Sequence, residues 1–141
     1  MPLTVPEFVR KWKVFAQTEN AGSQSHFNDL CEILNQPRPA DVDSAGENYA
    51  FEKYVGKTRG GKGFADVWCR DHFAWEYKGK HKDLKKAYDQ LNDYREGLDN
   101  PPLLVVCDLE TFQVHTNFTN TSERVYSFDL DDLLRNQVTV A

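Results

Sequence analysis

The sequence predicts a mixed α/β domain with its elements in the order α-α-β-β-β-α-β-β-α. Three observations predict this class. Two amphipathic stretches open the chain, short runs rich in aromatic and β-branched residues follow, and a third amphipathic stretch divides those runs into two groups. At 141 residues, the chain is most simply one domain, residues 1–141, and is large enough to bury a core of its own.

The first two elements are predicted to be helices that bury one apolar stripe each. The first runs from Pro6 to about Gln17, with apolar residues three and four apart. The second begins at Ser23 or Ser25, either of which can cap it, and ends at Leu34. A proline-rich loop, "NQPRPAD", follows.

The next segments predict three strands. "YAFEKYV" is the first, "RGGKG" is a flexible turn, and "GFADVWC" and "HFAWEYK" form a hairpin. Because side chains alternate across a strand, the two faces of the hairpin can be assigned. One face carries Ala65, Val67, Cys69, Phe73, Trp75 and Tyr77, and the other carries Phe64, Asp66, Trp68, Ala74, Glu76 and Lys78.

The last elements are a helix, two strands and a closing helix. Asp83 is an N-cap candidate for a helix through "DLKKAYDQLNDYREGL", which "NPP" ends. "LLVVCD" is wholly apolar and predicts a strand buried on both faces. "FQVHTNF" predicts the last strand, and Phe128 to Arg135 a short helix.

The net charge is −5, but it is unevenly distributed. Ten Lys or Arg and four Asp or Glu lie between Lys53 and Lys86, whereas the rest of the chain carries seven and eighteen. A basic centre in an acidic protein is compatible with contact to phosphates, and equally with a solvated face. No apolar run reaches the roughly 20 residues of a membrane span, no signal peptide is seen, and the three separated cysteines indicate a cytoplasmic protein with reduced thiols.

The hairpin brings two acids together. If its turn is centred on Asp71, then Asp66 lies directly opposite Glu76, with Lys78 two residues further on. Facing carboxylates repel unless they share a proton or bind a cation, and oxygen ligands suit Mg²⁺. A neighbouring lysine would complete a site for metal-assisted phosphodiester hydrolysis. The alternative is a solvated sheet face on which Lys78 pairs with Glu76.

These residues resemble the PD-(D/E)xK nuclease superfamily. "FAD" followed by "EYK" matches its acidic and E-x-K elements, with Ala65 where the family name has proline. Gln90 and Tyr94 in "QLNDY" are similar to the Q-x-x-x-Y motif of its RecB-like branch, and residues four apart project together from a helix. The alternatives are a surface glutamine and a core tyrosine.

This resemblance implies a restriction-endonuclease-like mixed β-sheet flanked by helices. It also implies roles for individual residues. Asp66 and Glu76 would hold Mg²⁺, for which Mn²⁺ would substitute, with the carbonyl of Tyr77 as a further ligand. Glu19 is a fourth candidate ligand, although an acid in the first turn of a helix is favourable on its own. Lys78 would position the attacking water, with Gln90 and Tyr94 in support.

A closer resemblance covers nearly the whole chain. "TENAGSQSHFNDLCEIL", "GGKGFADVW", "WEYKGKHKDLKKAYDQLNDYRE" and "NPPLLVVCDLETFQVHTNF" are similar to the N-terminal nuclease segment of type IIG/IIL restriction–modification enzymes. The resemblance implies a fragment of a longer protein that acts on double-stranded DNA. Methyltransferase and target-recognition domains would follow, and S-adenosylmethionine would bind only to the former.

The remaining expectations concern contacts with DNA. Lys62, Lys80 and Lys82 are predicted to bind phosphates, and a transient dimer on DNA is expected if each site cuts one strand. Two other functions stay open from the sequence. One is a repair or recombination nuclease, and the other is a nuclease-fold module that binds DNA without catalysis.

Overall fold

The computed structural model describes residues 3–56, 62–80 and 82–135, and the side chains of residues 19, 20, 55, 56 and 62 lie outside the described part. A 3₁₀ turn spans Glu96–Leu98. The helices are α1 (Val5–Val14), α2 (Glu19–Ile33), α3 (Pro39–Val42), α4 (Leu84–Asp93) and α5 (Leu130–Leu134). The strands are β1 (Tyr49–Gly56), β2 (Lys62–Cys69), β3 (Phe73–Tyr77), β4 (Leu103–Cys107), β5 (Thr111–Thr116) and β6 (Val125–Asp129).

The six strands form one mixed sheet in the order β1-β2-β3-β4-β5-β6. Among these six strands, only the central neighbours β3 and β4 are parallel. Helix α4 makes the crossover between them. The other neighbours are antiparallel. This arrangement confirms the predicted mixed α/β class.

Two apolar clusters cover the two faces of the sheet. Cluster one contains residues of α1, α2 and α5, and cluster two contains residues of α4. Strand β4 contributes to both, since Val105 and Cys107 lie in cluster one and Leu104 and Val106 in cluster two. The expectation that "LLVVCD" is buried on both faces is therefore confirmed.

The helix starts follow from local capping. Thr4 and Glu7 form a capping box at the start of α1. Helix α2 begins at Glu19 rather than at Ser23 or Ser25, because the Thr18 hydroxyl accepts from the N–H of Ala21. Gly22 lies inside this helix and leaves room for Phe15, since a Cβ at this position would lie 2.6 Å from the Phe15 ring.

Further predicted boundaries are also wrong. Helix α1 ends at Val14 instead of Gln17, and the short helix α3 begins inside the proline-rich loop. Helix α4 starts after Asp83 as predicted, but it ends at Asp93 and gives way to the 3₁₀ turn. Phe128 belongs to a sixth strand, not to the closing helix.

The alternation of side chains breaks in the middle of β2. Val67 lies in cluster one with Trp75 and Tyr77, as predicted, but Ala65 lies in cluster two beside Trp68. The predicted common face for Ala65 and Val67 is therefore wrong. The break falls at Asp66, so this acid stands where the strand changes the face that it buries.

No helix in the described ranges is both long enough and apolar enough to cross a membrane.

Candidate active site

Asp66 and Glu76 lie side by side at the point where β2 and β3 separate. The ladder between the strands has the predicted register and ends at the pair Val67 and Trp75, one residue before Asp66 and Glu76. Beyond that pair, a side chain replaces a main-chain acceptor. The carboxylate Oδ2 of Asp66 accepts from the main-chain N–H of Tyr77 at 2.7 Å. The gap between the two strands is thus bridged by Asp66 itself.

The two carboxyl groups interact directly. Burial is the largest effect on the pKa of Asp66 and raises it, while the Tyr77 N–H, the Glu76 side chain and the nearby Lys78 act to lower it. Carboxyl groups this close repel unless they share a proton or bind a cation.

Glu52 is a third acid near this pair that the sequence did not predict. It lies in β1, between residues that pair with Ala65 and Val67, and its charge also raises the pKa of Asp66. Its backbone has a φ of 52°, in the left-handed region that glutamate rarely adopts. No pattern in the sequence marks Glu52, because its position depends on the register of β1 and on this unusual φ.

Lys78, Gln90 and Tyr94 form a hydrogen-bonded chain. The amino group of Lys78 donates to Gln90 Oε1 at 3.2 Å, and Gln90 Nε2 donates to the Tyr94 hydroxyl at 3.0 Å. The two predicted motifs, E-x-K on β3 and Q-x-x-x-Y on α4, therefore meet. Gly63 of β2 lets Tyr94 approach, because a Cβ there would lie 2.4 Å from its ring and hydroxyl.

His26 lies behind the site and is completely buried. The carbonyl of Leu109, which can only accept, lies 3.1 Å from Nε2, so Nδ1 accepts from the Tyr77 hydroxyl at 2.8 Å. Burial lowers the pKa of His26 to about 3 and keeps the ring neutral. Tyr77 thus donates at both ends, through its amide to Asp66 and through its phenol to His26.

Lys80 occupies a different environment from the one predicted. Its amino group donates to the carbonyls of Trp12 at 2.8 Å and Lys13 at 3.1 Å, and lies 3.7 Å from a carboxylate oxygen of Glu110. The two carbonyls belong to the last turn of α1, where a cation is favourable. Lys80 therefore fastens α1 to the segment after β3, and its phosphate contact stays a prediction.

The other predicted residues differ in how far the structure describes them. Lys82 is exposed and follows the same segment. Glu19 is the first residue of α2, but its side chain lies outside the described part, as does that of Lys62. The Tyr77 carbonyl as a ligand also stays a prediction.

The donor set around Asp66 suits one kind of metal ion. Within the described ranges, no group of three or more His, Cys, Asp or Glu side chains is arranged to hold a metal. Two adjacent carboxylates remain, Asp66 and Glu76, with no sulfur or imidazole ligand assigned. Mg²⁺ is commonly held by one or two carboxylates, with water and substrate phosphate completing its shell, so these residues fit that ion.

The fold is a mixed sheet with helices on both faces, and the candidate site lies where β2 and β3 separate. The family model described as "MmeI, N-terminal domain" matches residues 3–139. The chain belongs to this family, the endonuclease domain of MmeI-like restriction–modification enzymes.

One solved structure is similar in fold. It is described as "cryoEM structure DrdV-DNA complex", and it matches with a TM-score of 0.50 and 15% sequence identity. The match covers 96% of this chain and 14% of that chain, so the present chain spans about one seventh of the length of that protein. No curated protein sequence matches.

Proposed function

We propose that this chain hydrolyses phosphodiester bonds in DNA with the help of a divalent metal ion. One observation supports this most strongly. Two adjacent carboxyl groups, those of Asp66 and Glu76, lie beside a lysine whose amino group is held by the Gln90 side chain. Because facing acids gain nothing for the fold, the arrangement is best explained by a ligand that neutralises them.

In this proposal Asp66 and Glu76 hold Mg²⁺ or Mn²⁺, with the Tyr77 carbonyl and Glu19 as further candidate ligands. When bound, the ion would polarise the phosphate and lower the pKa of water. The Tyr77 N–H keeps Asp66 in place whether or not an ion is present. Burial of Glu76 limits competition from bulk solvent for the same oxygens.

The remaining groups act on the substrate side. Lys78 orients the attacking water and offsets the charge that develops on the phosphate. Gln90 accepts from Lys78 and is itself held by Tyr94, so the amino group is restricted to one direction. Such restriction lowers the cost of orienting the reacting groups. Lys62, Lys80 and Lys82 remain the proposed phosphate contacts.

We further propose that residues 1–141 form one nuclease domain of a longer restriction–modification protein that acts on double-stranded DNA in the cytoplasm of a prokaryote. The family match and the one-seventh coverage of the DrdV chain support this setting. A methyltransferase domain, which would bind S-adenosylmethionine, and a target-recognition domain would lie elsewhere in that protein.

Two substitutions test the chemistry. Asp66→Asn keeps an acceptor for the Tyr77 N–H but removes the charge, and Lys78→Met keeps the length of the stem. Each should slow DNA cleavage by about 100-fold or more, because each removes a group that acts on the transition state. Cleavage of supercoiled plasmid with Mg²⁺ measures the rate, and circular dichroism checks the fold.

The controls are Asp71→Asn and Lys85→Ala, which change exposed residues of the same types nearby. Both should cut at the parent rate. If Asp66→Asn or Lys78→Met also cuts at the parent rate, the assigned site is wrong. DNA binding by the parent without cleavage in Mg²⁺ or Mn²⁺ would favour a non-catalytic module instead.

A further inference from the structure

Two large aromatic side chains are exposed together on the β1–β2 hairpin. Tyr54 and Phe64 are directly paired across the two strands, and their ring centroids lie 5.2 Å apart at an angle of 69°. The exposed fraction is 50% for Tyr54 and 52% for Phe64. Neither residue belongs to one of the two apolar clusters. Single exposed aromatics are ordinary, but a contacting pair forms a patch that favours a partner.

The pair lies on the two strands that carry Glu52 and Asp66. Phe64 precedes Asp66 by two residues on β2, and Tyr54 follows Glu52 by two residues on β1. Two residues of a strand span about 7 Å, and successive nucleotides rise about 3.4 Å along a duplex. Measured along the hairpin, the rings therefore lie about two nucleotide steps from Asp66.

Phe64 faces away from the core on its side of the hairpin. Its neighbours Gly63 and Ala65 both face cluster two, where Gly63 contacts Tyr94. A strand alternates, so Phe64 and its partner Tyr54 point to the opposite face. That face carries the two rings at half exposure. The break in alternation at Asp66 is what turns Phe64 outward.

The charge of the surrounding sequence indicates the kind of partner. The sequence between β1 and β2 contains Lys57 and Arg59, Lys62 is the first residue of β2, and residues 57–62 include no acid, whereas the whole chain has a net charge of −5. An apolar protein partner would not require this local reversal of charge. A polyanion that also has apolar surfaces would match both features, and DNA offers these in its phosphates and in the apolar edges of its sugars.

We infer that Tyr54 and Phe64 form an aromatic contact surface for the sugars of the nucleotides that flank the scissile phosphate. This inference depends on the proposed function and adds a binding surface to it. Aromatic side chains suit such a contact, because the sugars are the same at every nucleotide and contact with them tolerates any sequence.

The test is DNA binding by the double variant Tyr54→Ala/Phe64→Ala. Fluorescence anisotropy of a labelled 30-base-pair duplex, with a chelator present to prevent cleavage, gives the dissociation constant at several salt concentrations. We expect binding to weaken about 5-fold to 100-fold, as for the loss of other large aromatic side chains at an interface. The slope of log Kd against log salt should not change, because no charge is removed.

The matched control is Phe118→Ala/Tyr126→Ala, which removes the same two residue types at 50% and 53% exposure. Tyr126 lies on β6, at the far edge of the sheet from β1. This control should bind within about twofold of the parent. The exchange Tyr54→Phe/Phe64→Tyr, which keeps both rings, should do so as well. Thermal unfolding of all variants confirms that each is folded.

Equal affinities for the two alanine double variants would overturn the inference and leave the proposed function intact, since cleavage is tested separately at Asp66. Failure of the folded parent to bind the duplex at low salt would overturn both. Sedimentation provides a further outcome against the inference. If the Tyr54/Phe64 variant loses a parent dimer but keeps its DNA affinity, the patch binds a second copy instead.

Discussion

Tyr77 joins the candidate active site to the core through two separate hydrogen bonds. Its amide donates to Asp66, and its phenol donates to a histidine ring that is completely buried. His26 is enclosed by the rings of Phe8, Trp12 and Phe112. A proton on this imidazole would compete with the Tyr77 phenol for Nδ1, so the network requires the neutral ring.

This requirement predicts a loss of stability in mild acid. His26 has a pKa of about 3 in the folded chain, below the 6.5 of an unfolded one, so its contribution is complete above pH 6.5 and is lost as the pH falls toward 3. From pH 8 to pH 5, the free energy of unfolding should fall by about 2 kcal/mol on this account. Urea unfolding in the presence of a chelator measures it.

The comparison variant is His26→Gln, whose amide can accept from Tyr77 and donate to Leu109. It should be less stable than the parent at pH 8 but lose less stability on going to pH 5, because glutamine does not titrate. Parallel pH profiles for the two proteins would contradict the prediction. All other titrating groups are shared and therefore cancel in the difference.

For individual residues, the sequence predicts which residue types come together at the candidate site, but not every contact between them. The closeness of Asp66 and Glu76 follows from a short turn and from the predicted hairpin register, which the structure has as far as Val67 and Trp75. The bond from the Tyr77 N–H to Asp66 and the approach of Glu52 depend on the separation of two strands and on a left-handed φ. Residue spacing alone predicts neither of these two contacts.

Helix α4 does two things at once. Its buried residues Ala87 and Leu91 pack on the sheet in cluster two, and the same helix presents Gln90 to Lys78. Tyr94, just after its last residue, fills the space above Gly63. The position of the helix on the sheet therefore determines the position of the polar groups at the site.

Gly63→Ala is predicted to disturb both the packing of α4 on the sheet and the position of the polar groups at the site. The added methyl would lie 2.4 Å from the Tyr94 ring, so the ring and the end of α4 must move. We expect stability to fall by about 1–3 kcal/mol, as for other overpacked sites, and the cleavage rate to fall with it. Chemical denaturation and plasmid cleavage measure the two effects.

A double-mutant cycle separates this clash from other effects of alanine. In a Tyr94→Leu background, the smaller side chain leaves room, so Gly63→Ala should cost much less stability there. An equal cost in both backgrounds would show that Tyr94 is not the cause. The cleavage rate of the Tyr94→Leu variant also shows whether Tyr94 is needed for cleavage apart from its packing.

Element types were easier to predict than element ends. The start of α4 after Asp83 and the two strands of the β2–β3 hairpin have strong local signals in the sequence. Strand β6 has an exposed "VYS" segment without clean alternation, and only its pairing with β5 makes it a strand. Likewise, Thr18 rather than a serine caps α2, and the helix runs through Gly22, whose missing Cβ leaves room for Phe15.

At the scale of the whole molecule, helices cover both faces of one mixed sheet, and the predicted order of elements is correct except for α3 and β6. The wholly apolar β4 indicated a strand covered on both sides, and the helical stretch before it supplied the crossover. What the pattern could not supply is the change of face within β2, since such a break leaves the number and kind of residues unchanged.

The molecule has one Asp66–Glu76–Lys78 set, which predicts one strand cut per chain. Double-strand breaks should then need two chains, and their rate should rise more steeply than the first power of enzyme concentration. Mixing the parent with excess Asp66→Asn chain should shift the products toward nicked circles. Gel analysis of supercoiled plasmid gives both measurements, and a strictly first-order rate of linear product would contradict the prediction.

The change of face within β2 also limits how this segment can vary in length. Its first half lines the wall beneath Tyr94, and its second half closes the aromatic core around Trp75. Removing or inserting one residue between Gly63 and Val67 would present Phe64 to the helix and send the glycine outward. Substitutions here can be judged one at a time, whereas an insertion or deletion would exchange inside and outside for the whole hairpin end.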